Sequence, residues 1–81
     1  LYAELDSIVV VPITTDLRNE HTLFRLAVDP TAENGLRKPS QLMVDKVSAV
    51  VKARIDRKIG HADGPLMAQV STMLTEFLEL A

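Results

Sequence analysis

The order of its periodic segments predicts an α+β domain: a small sheet with one C-terminal amphipathic helix packed on it. Three observations carry that reading. Residues 8–14, IVVVPIT, are a β-branched and apolar run. Two later segments, 23–28 and 41–47, alternate with a period of two, and residues 66–78 repeat apolar side chains along one helical stripe. The 81 residues are read as one domain, 1–81. A chain of this size buries only about 60–65% of its unfolded surface. Without cysteine it can add neither a disulfide nor a thiolate zinc site, so self-association as a dimer is the expected source of further stability.

Taken in order, Ile8 to Thr14 is apolar enough to be a strand buried on both faces and close to the centre of a sheet. Pro12 has no N–H to donate, so the strand must end, bulge or lie at an edge there, which leaves Thr14 and Thr15 at a strand end. A polar connection, 16–22, leads to a second strand in which Phe24, Leu26 and Val28 alternate with Leu23, Arg25 and Ala27. Asp29-Pro30 and Asn34-Gly35 are turn signals within a long connection, 29–40, that should be mobile. Either Asn34 or Gly35 suits a positive φ. In Gln41 to Val47 the alternation places Leu42, Val44 and Lys46 on one side and Gln41, Met43, Asp45 and Val47 on the other. Val50 to Asp56 reads as either a helical turn or a bend, with a short strand over 58–61 after it. Asp63 or Gly64 then caps a helix of about four turns with Pro65 in its first turn; its stripe is Leu66, Met67, Val70, Met73, Leu74, Phe77 and Leu78. Methionines on such a stripe read as core fillers.

The net charge of −2 argues against a general nucleic-acid binder, yet it averages over a division. Residues 1–34 hold six carboxylates against Arg18 and Arg25, whereas residues 35–63 hold Arg37, Lys38, Lys46, Lys52, Arg54, Arg57 and Lys58 against Asp45, Asp56 and Asp63. The middle of the chain is locally basic. Glu4 and Asp6 stand where a secretory signal would be basic, so a cytoplasmic location is expected. The apolar run 8–11 is far short of the roughly 20 residues that cross a bilayer, and no membrane association is expected.

There is no phosphate-cradling glycine loop, no HExxH, no GxSxG and no carboxylate spacing suited to a metal. His21 and His61 could form an acid–base pair, with surface histidines as the plainer reading. The "TTDLR" stretch says more. A hydroxyl can donate to a phosphate oxygen, and an arginine fork can oppose charge developing on a phosphodiester. The plainer reading of the same threonines is turn capping, since their hydroxyls commonly bond local backbone.

The succession "VVVPITTDLR", "FRLAV", "ENGLRKPSQLMVDKV" and "KARIDRKIGHADGPLMAQVSTMLTEFLELA" resembles the MazF/PemK-like toxins of bacterial toxin–antitoxin systems through nearly the whole chain. The resemblance implies a small SH3-like barrel of the CcdB/MazF kind and a homodimer. It also implies a cofactor-free, metal-independent endoribonuclease that cuts single-stranded RNA at a short sequence, and a cognate antitoxin as partner. Carried over residue by residue, it makes Thr14 the catalytic threonine at the scissile phosphate, puts Thr15 and Arg18 beside the RNA groove, and gives Ser40, Asp45 and Lys46 to RNA contact. Lys46 stands where many relatives have Gln, and Ser48 where many are basic, so no particular cut sequence is implied. Relatives carry further N-terminal strands and an arginine that completes the catalytic pair. The 81 residues alone are therefore expected to lack that arginine. Two rival readings share the fold: a gyrase-binding toxin acting through its last helix, and a non-catalytic oligomerisation module.

Overall fold

The structure, a computed structural model, describes residues 6–20 and 23–80. Among the described residues five strands, two 3-10 turns and one helix follow one another: β1 (Ser7–Val10), β2 (Ile13–Thr14), β3 (Arg25–Val28), β4 (Ser40–Met43), a turn (Val44–Lys46), β5 (Ser48–Val51), a second turn (Lys52–Arg54) and α1 (Gly64–Leu80). The α+β class is the one expected.

The first apolar run is split at Val11-Pro12, because Pro12 cannot donate to a ladder. The split divides the sheet. On one side β1 pairs antiparallel with β5, from Ser7 opposite Val51 to Val10 opposite Ser48. On the other, β4 lies between β2 and β3, both antiparallel to it. The same two passes of chain thus build both sheets, and the Met43 N–H donates to the Pro12 carbonyl at 2.8 Å where they change over.

Burial of the first strand on both faces is not observed: Ile8 is 42% and Val9 68% exposed. Among the described residues β1 has one hydrogen-bonded neighbour, β5, so the central position expected from its β-branched run is not seen there. The second alternating segment, 41–47, also ends early. Val44–Lys46 closes into a 3-10 turn, in which the Val44 N–H donates to the Phe24 carbonyl at 2.9 Å and the Val44 side chain is wholly buried. The shared face expected for Val44 and Lys46 is lost, since Lys46 is exposed.

The expected strand over 58–61 is absent; one backbone bond, from the His61 N–H to the Glu33 carbonyl at 2.8 Å, joins that segment to residues 29–40. Steric fit replaces the ladder. Gly35 sits at φ 69°, and a β-carbon there would fall 2.1 Å from the Ile59 oxygen, while one on Gly60 would fall 2.3 Å from the Glu33 oxygen. The connection expected to be mobile is bonded to itself through Asn34: its Oδ1 accepts the N–H groups of Thr31 and Leu36, both at 3.0 Å, and its Nδ2 donates to the Asp29 carbonyl at 2.9 Å.

Helix α1 begins as its sequence demands. Asp63 Oδ1 accepts the Leu66 N–H at 2.8 Å, an N-cap that contributes about 1 kcal/mol. Leu66, Val70, Met73 and Leu74 pack against the core of Val28, Leu42 and Val44, and the Phe24 and Phe77 rings meet edge to face at 5.1 Å. The buried stripe is narrower than the periodic one, for Met67 and Leu78 are 55% and 59% exposed. No helix among the described residues is long and apolar enough to cross a membrane.

Candidate active site

Strand register divides the three-stranded sheet into two chemically distinct faces. Val28 is opposite Ser40 and Leu26 opposite Leu42, and successive side chains alternate, so these four point towards α1. Thr14 opposite Gln41, with Ala27 beyond it and Arg25 opposite Met43, therefore occupies the other face. The helix covers one face, and the polar groups gather on its reverse.

On that reverse face the turn after β2 is organised by Asp16. Its N–H donates to Thr14 Oγ1 at 3.0 Å, its Oδ2 accepts from Arg18 Nε at 3.2 Å and Nη2 at 2.9 Å, and its carbonyl accepts from Arg25 Nη1 at 2.9 Å. Gln41 closes the network from β4. Its Oε1 accepts the Arg18 backbone N–H at 3.1 Å and Arg25 Nη1 at 2.8 Å, and its Nε2 returns a bond to the Arg18 carbonyl at 3.0 Å. Arg25 Nη2 also lies 3.6 Å from Met43 Sδ.

The turn-capping reading of Thr14 is thus realised, but only through the lone pairs of its oxygen. Its O–H remains a donor. The Arg18–Asp16 ion pair has side chains 57% and 66% exposed, a setting in which such pairs contribute about 0–1 kcal/mol. So weak a pair can open to let Arg18 meet a stronger anion. The bonded network itself sets two guanidinium groups against one carboxylate.

The other sequence candidates are dispersed. Thr15 is exposed just beyond β2, and Asp45 and Lys46 are both exposed on the 3-10 turn that starts beside Pro12. Ser40 is corrected: at 3% exposure on the helix-facing side, its Oγ donates to the Lys38 carbonyl at 2.9 Å, and it does not share the surface of Thr14. His21 lies outside the described residues. His61 Nε2 is 3.4 Å from Glu33 Oε2, and His61 lines an apolar cavity with Leu42, Leu66 and Val70 on the helix side, away from Thr14. The basic middle of the chain also separates, Arg37 standing with Arg57 and Lys58 around an open depression. Sequence reasoning missed Gln41 and underrated Arg25. A charged residue alternating onto the side that a neighbouring strand gives to glutamine was the available signal. Among the described residues no group of three or more His, Asp or Glu side chains is placed to hold a metal ion.

A helix-backed sheet whose open face joins a threonine hydroxyl to two arginines is a small α+β scaffold that carries donors suited to an anion. The family model of the PemK-like, MazF-like toxins of type II toxin–antitoxin systems matches residues 1–78, and the chain belongs to that family. It is 33% identical over 75 residues to the protein named "Probable endoribonuclease MazF" of Mycolicibacterium smegmatis, an alignment covering 93% of this chain and 68% of that one. The solved Mycobacterium tuberculosis toxin MazF-mt6 superposes with a TM-score of 0.79 at 25% identity, covering 95% of this chain and 74% of that one. A second solved structure, an Mtb toxin, gives 0.68 at 29% identity, covering 98% and 78%. Membership of such a two-component system gives the chain an antitoxin as partner and the expected fold.

Proposed function

We propose that this toxin is an endoribonuclease that cuts single-stranded RNA, and that its chemistry takes place on the sheet face bearing Thr14. The observation that carries the reading is the Asp16-centred network, which fixes a hydroxyl donor and two guanidinium groups around one exposed turn. Supporting it, the curated relative is named an endoribonuclease, whereas neither the family description nor the relatives' names point to the gyrase-binding alternative.

In such a reaction the ribose 2′-hydroxyl of the substrate attacks the adjacent phosphorus and the 5′-oxygen leaves. Negative charge grows on the phosphoryl oxygens in between. Thr14 Oγ–H and a guanidinium fork are donors suited to that charge. Thr15, Arg18, Asp45 and Lys46, all exposed, are the residues proposed to hold the flanking nucleotides. Ser40 is left out.

The test is cleavage of a defined single-stranded RNA by the full-length protein in EDTA, read by primer extension. Cleavage should persist at an unchanged rate and stop at one short sequence. Activity that appears only on adding a divalent ion would overturn the metal-independent reading.

A cytoplasmic homodimer is the form proposed to act. Val9, Leu23, Ile59 and Leu80 are each more than half exposed, at 68%, 72%, 55% and 72%, and so small a cysteine-free core gains from covering such surface. Sedimentation of the full-length protein should give twice the protomer mass at micromolar concentration. A stably folded monomer there would overturn the proposal, as recovery in the membrane fraction would overturn the location.

A further inference from the structure

Arg25 is a cation without a counter-ion among the described residues. It is half-buried on β3, and no described carboxylate comes within salt-bridge reach of it, whereas Arg18 pairs with Asp16. Its partners are all neutral: the Asp16 carbonyl, the Gln41 amide oxygen and the Met43 sulfur. A half-buried guanidinium with only neutral partners gives up part of its hydration with no carboxylate to offset the loss.

The direction of the charge is also fixed. Both contacts from Nη1 are spent on Asp16 and Gln41, at 2.9 and 2.8 Å, which leaves Nε–H with no partner among the described residues and Nη2 with one bond, to the Met43 sulfur at 3.6 Å. Nε and Nη2 form the edge of a guanidinium that grips two oxygens of a phosphate. The same Asp16 whose carbonyl takes Nη1 gives its N–H to Thr14 Oγ1, so one residue of backbone links the arginine to the threonine. Gln41, opposite Thr14 in the register, binds that turn and Arg25 at once.

We infer that Arg25 is a second phosphate-binding residue of the Thr14 site, gripping the scissile phosphodiester through its Nε/Nη2 edge, with Gln41 as the positioning residue that aims it. The inference rests on the endoribonuclease reading. Arg18, by contrast, is tied to a carboxylate and must break that pair before it can meet RNA. Arg25 is already prepared.

The experiment compares Arg25→Met, Arg25→Lys, Gln41→Met and the Arg25→Met/Gln41→Met double variant in the full-length protein, with Thr14→Val alongside. Thermal unfolding controls for folding. Arg25→Met should lower kcat by about 10²-fold, the scale of one lost charge-stabilising donor. Arg25→Lys should restore little of it, because an ammonium cannot bond the Asp16 carbonyl and Gln41 while also presenting two donors to a phosphate. Gln41→Met should cost about tenfold in kcat with KM nearly unchanged, and most of that cost should vanish in the Arg25→Met background, as coupling between the two residues requires. The Arg25 Nε–H resonance should shift when RNA blocked by a 2′-O-methyl group at the cut site is added to the wild-type protein. Loss of cleavage in Thr14→Val with normal cleavage in Arg25→Met would overturn the inference and leave the endoribonuclease reading standing. An Nε–H resonance unmoved by the blocked RNA would overturn it too. An equal Gln41→Met cost in both backgrounds would remove Gln41 from the positioning role. No cleavage of RNA by the wild-type protein would instead defeat the endoribonuclease reading itself.

Discussion

Thr14→Val in the full-length protein should cut RNA on the order of 10²- to 10³-fold more slowly while remaining folded, the loss typical of one donor removed from developing charge. Valine keeps the β-branched shape that a strand end accepts. The turn bond from the Asp16 N–H to Thr14 Oγ1 is lost as well, but that N–H is in an exposed turn where water replaces the partner. Thr14→Ser should restore much of the rate by returning the hydroxyl. Thr15→Val should cost far less, since Thr15 is exposed beyond the last paired residue of β2, and none of the hydrogen bonds of the Asp16 network passes through it. Near-normal cleavage by Thr14→Val together with collapse for Thr15→Val would shift the site by one residue, and near-normal cleavage by both would move the chemistry elsewhere.

The parts of this fold that the sequence makes legible are those decided by neighbours along the chain. Helix α1 announces itself through Asp63, Pro65 and the stripe from Leu66 to Phe77, each acting within a turn or two. The break at Pro12 follows from a missing N–H, and the positive φ of Gly35 from its missing side chain. What stayed illegible is decided across the chain. Nothing within Gln41–Val47 says that Val44 will abandon alternation, because the cause is a bond to Phe24, twenty residues earlier, together with complete burial. β1 looks central by composition, yet among the described residues it pairs with β5 alone and Ile8 and Val9 are exposed.

The site shows the same division. "TTDLR" was legible as a turn that gathers hydroxyl, carboxylate and guanidinium because all three lie within five residues of one another. The contributions of Gln41 and Arg25 come from sequence separations of 23, 16 and 9 residues, which only register brings together. Ser40 was misplaced for a related reason. A serine one residue before Gln41 points through the sheet to the opposite face, so adjacency in sequence meant separation in space.

Gly35→Ala should destabilise the fold by about 3 kcal/mol or more, a large share of the roughly 4–12 kcal/mol that a domain of this size has to spare. Two costs combine. A β-carbon in the left-handed region costs about 1–2 kcal/mol, and this one would lie 2.1 Å from the Ile59 carbonyl oxygen, so the passes through residues 33–36 and 59–61 would have to part. Parting them breaks the His61 N–H bond to the Glu33 carbonyl and opens the apolar cavity that Ile59 and Leu36 close over Leu42. Gly64→Ala is the matched control: it opens helix α1, a β-carbon there meets nothing within 4 Å, and the change should be neutral or stabilising by under about 1 kcal/mol. Urea unfolding of both variants measures the contrast. Because the glycine contact borders the helix-side cavity and Thr14 faces the other way, the Gly35→Ala protein that remains folded at low temperature should still cleave RNA at close to the normal rate. Stability within about 0.5 kcal/mol of wild type, the range of an ordinary surface substitution, would mean that the two passes do not meet in solution. A rate loss matching that of Thr14→Val in the folded fraction would mean that the two faces of the sheet are not independent.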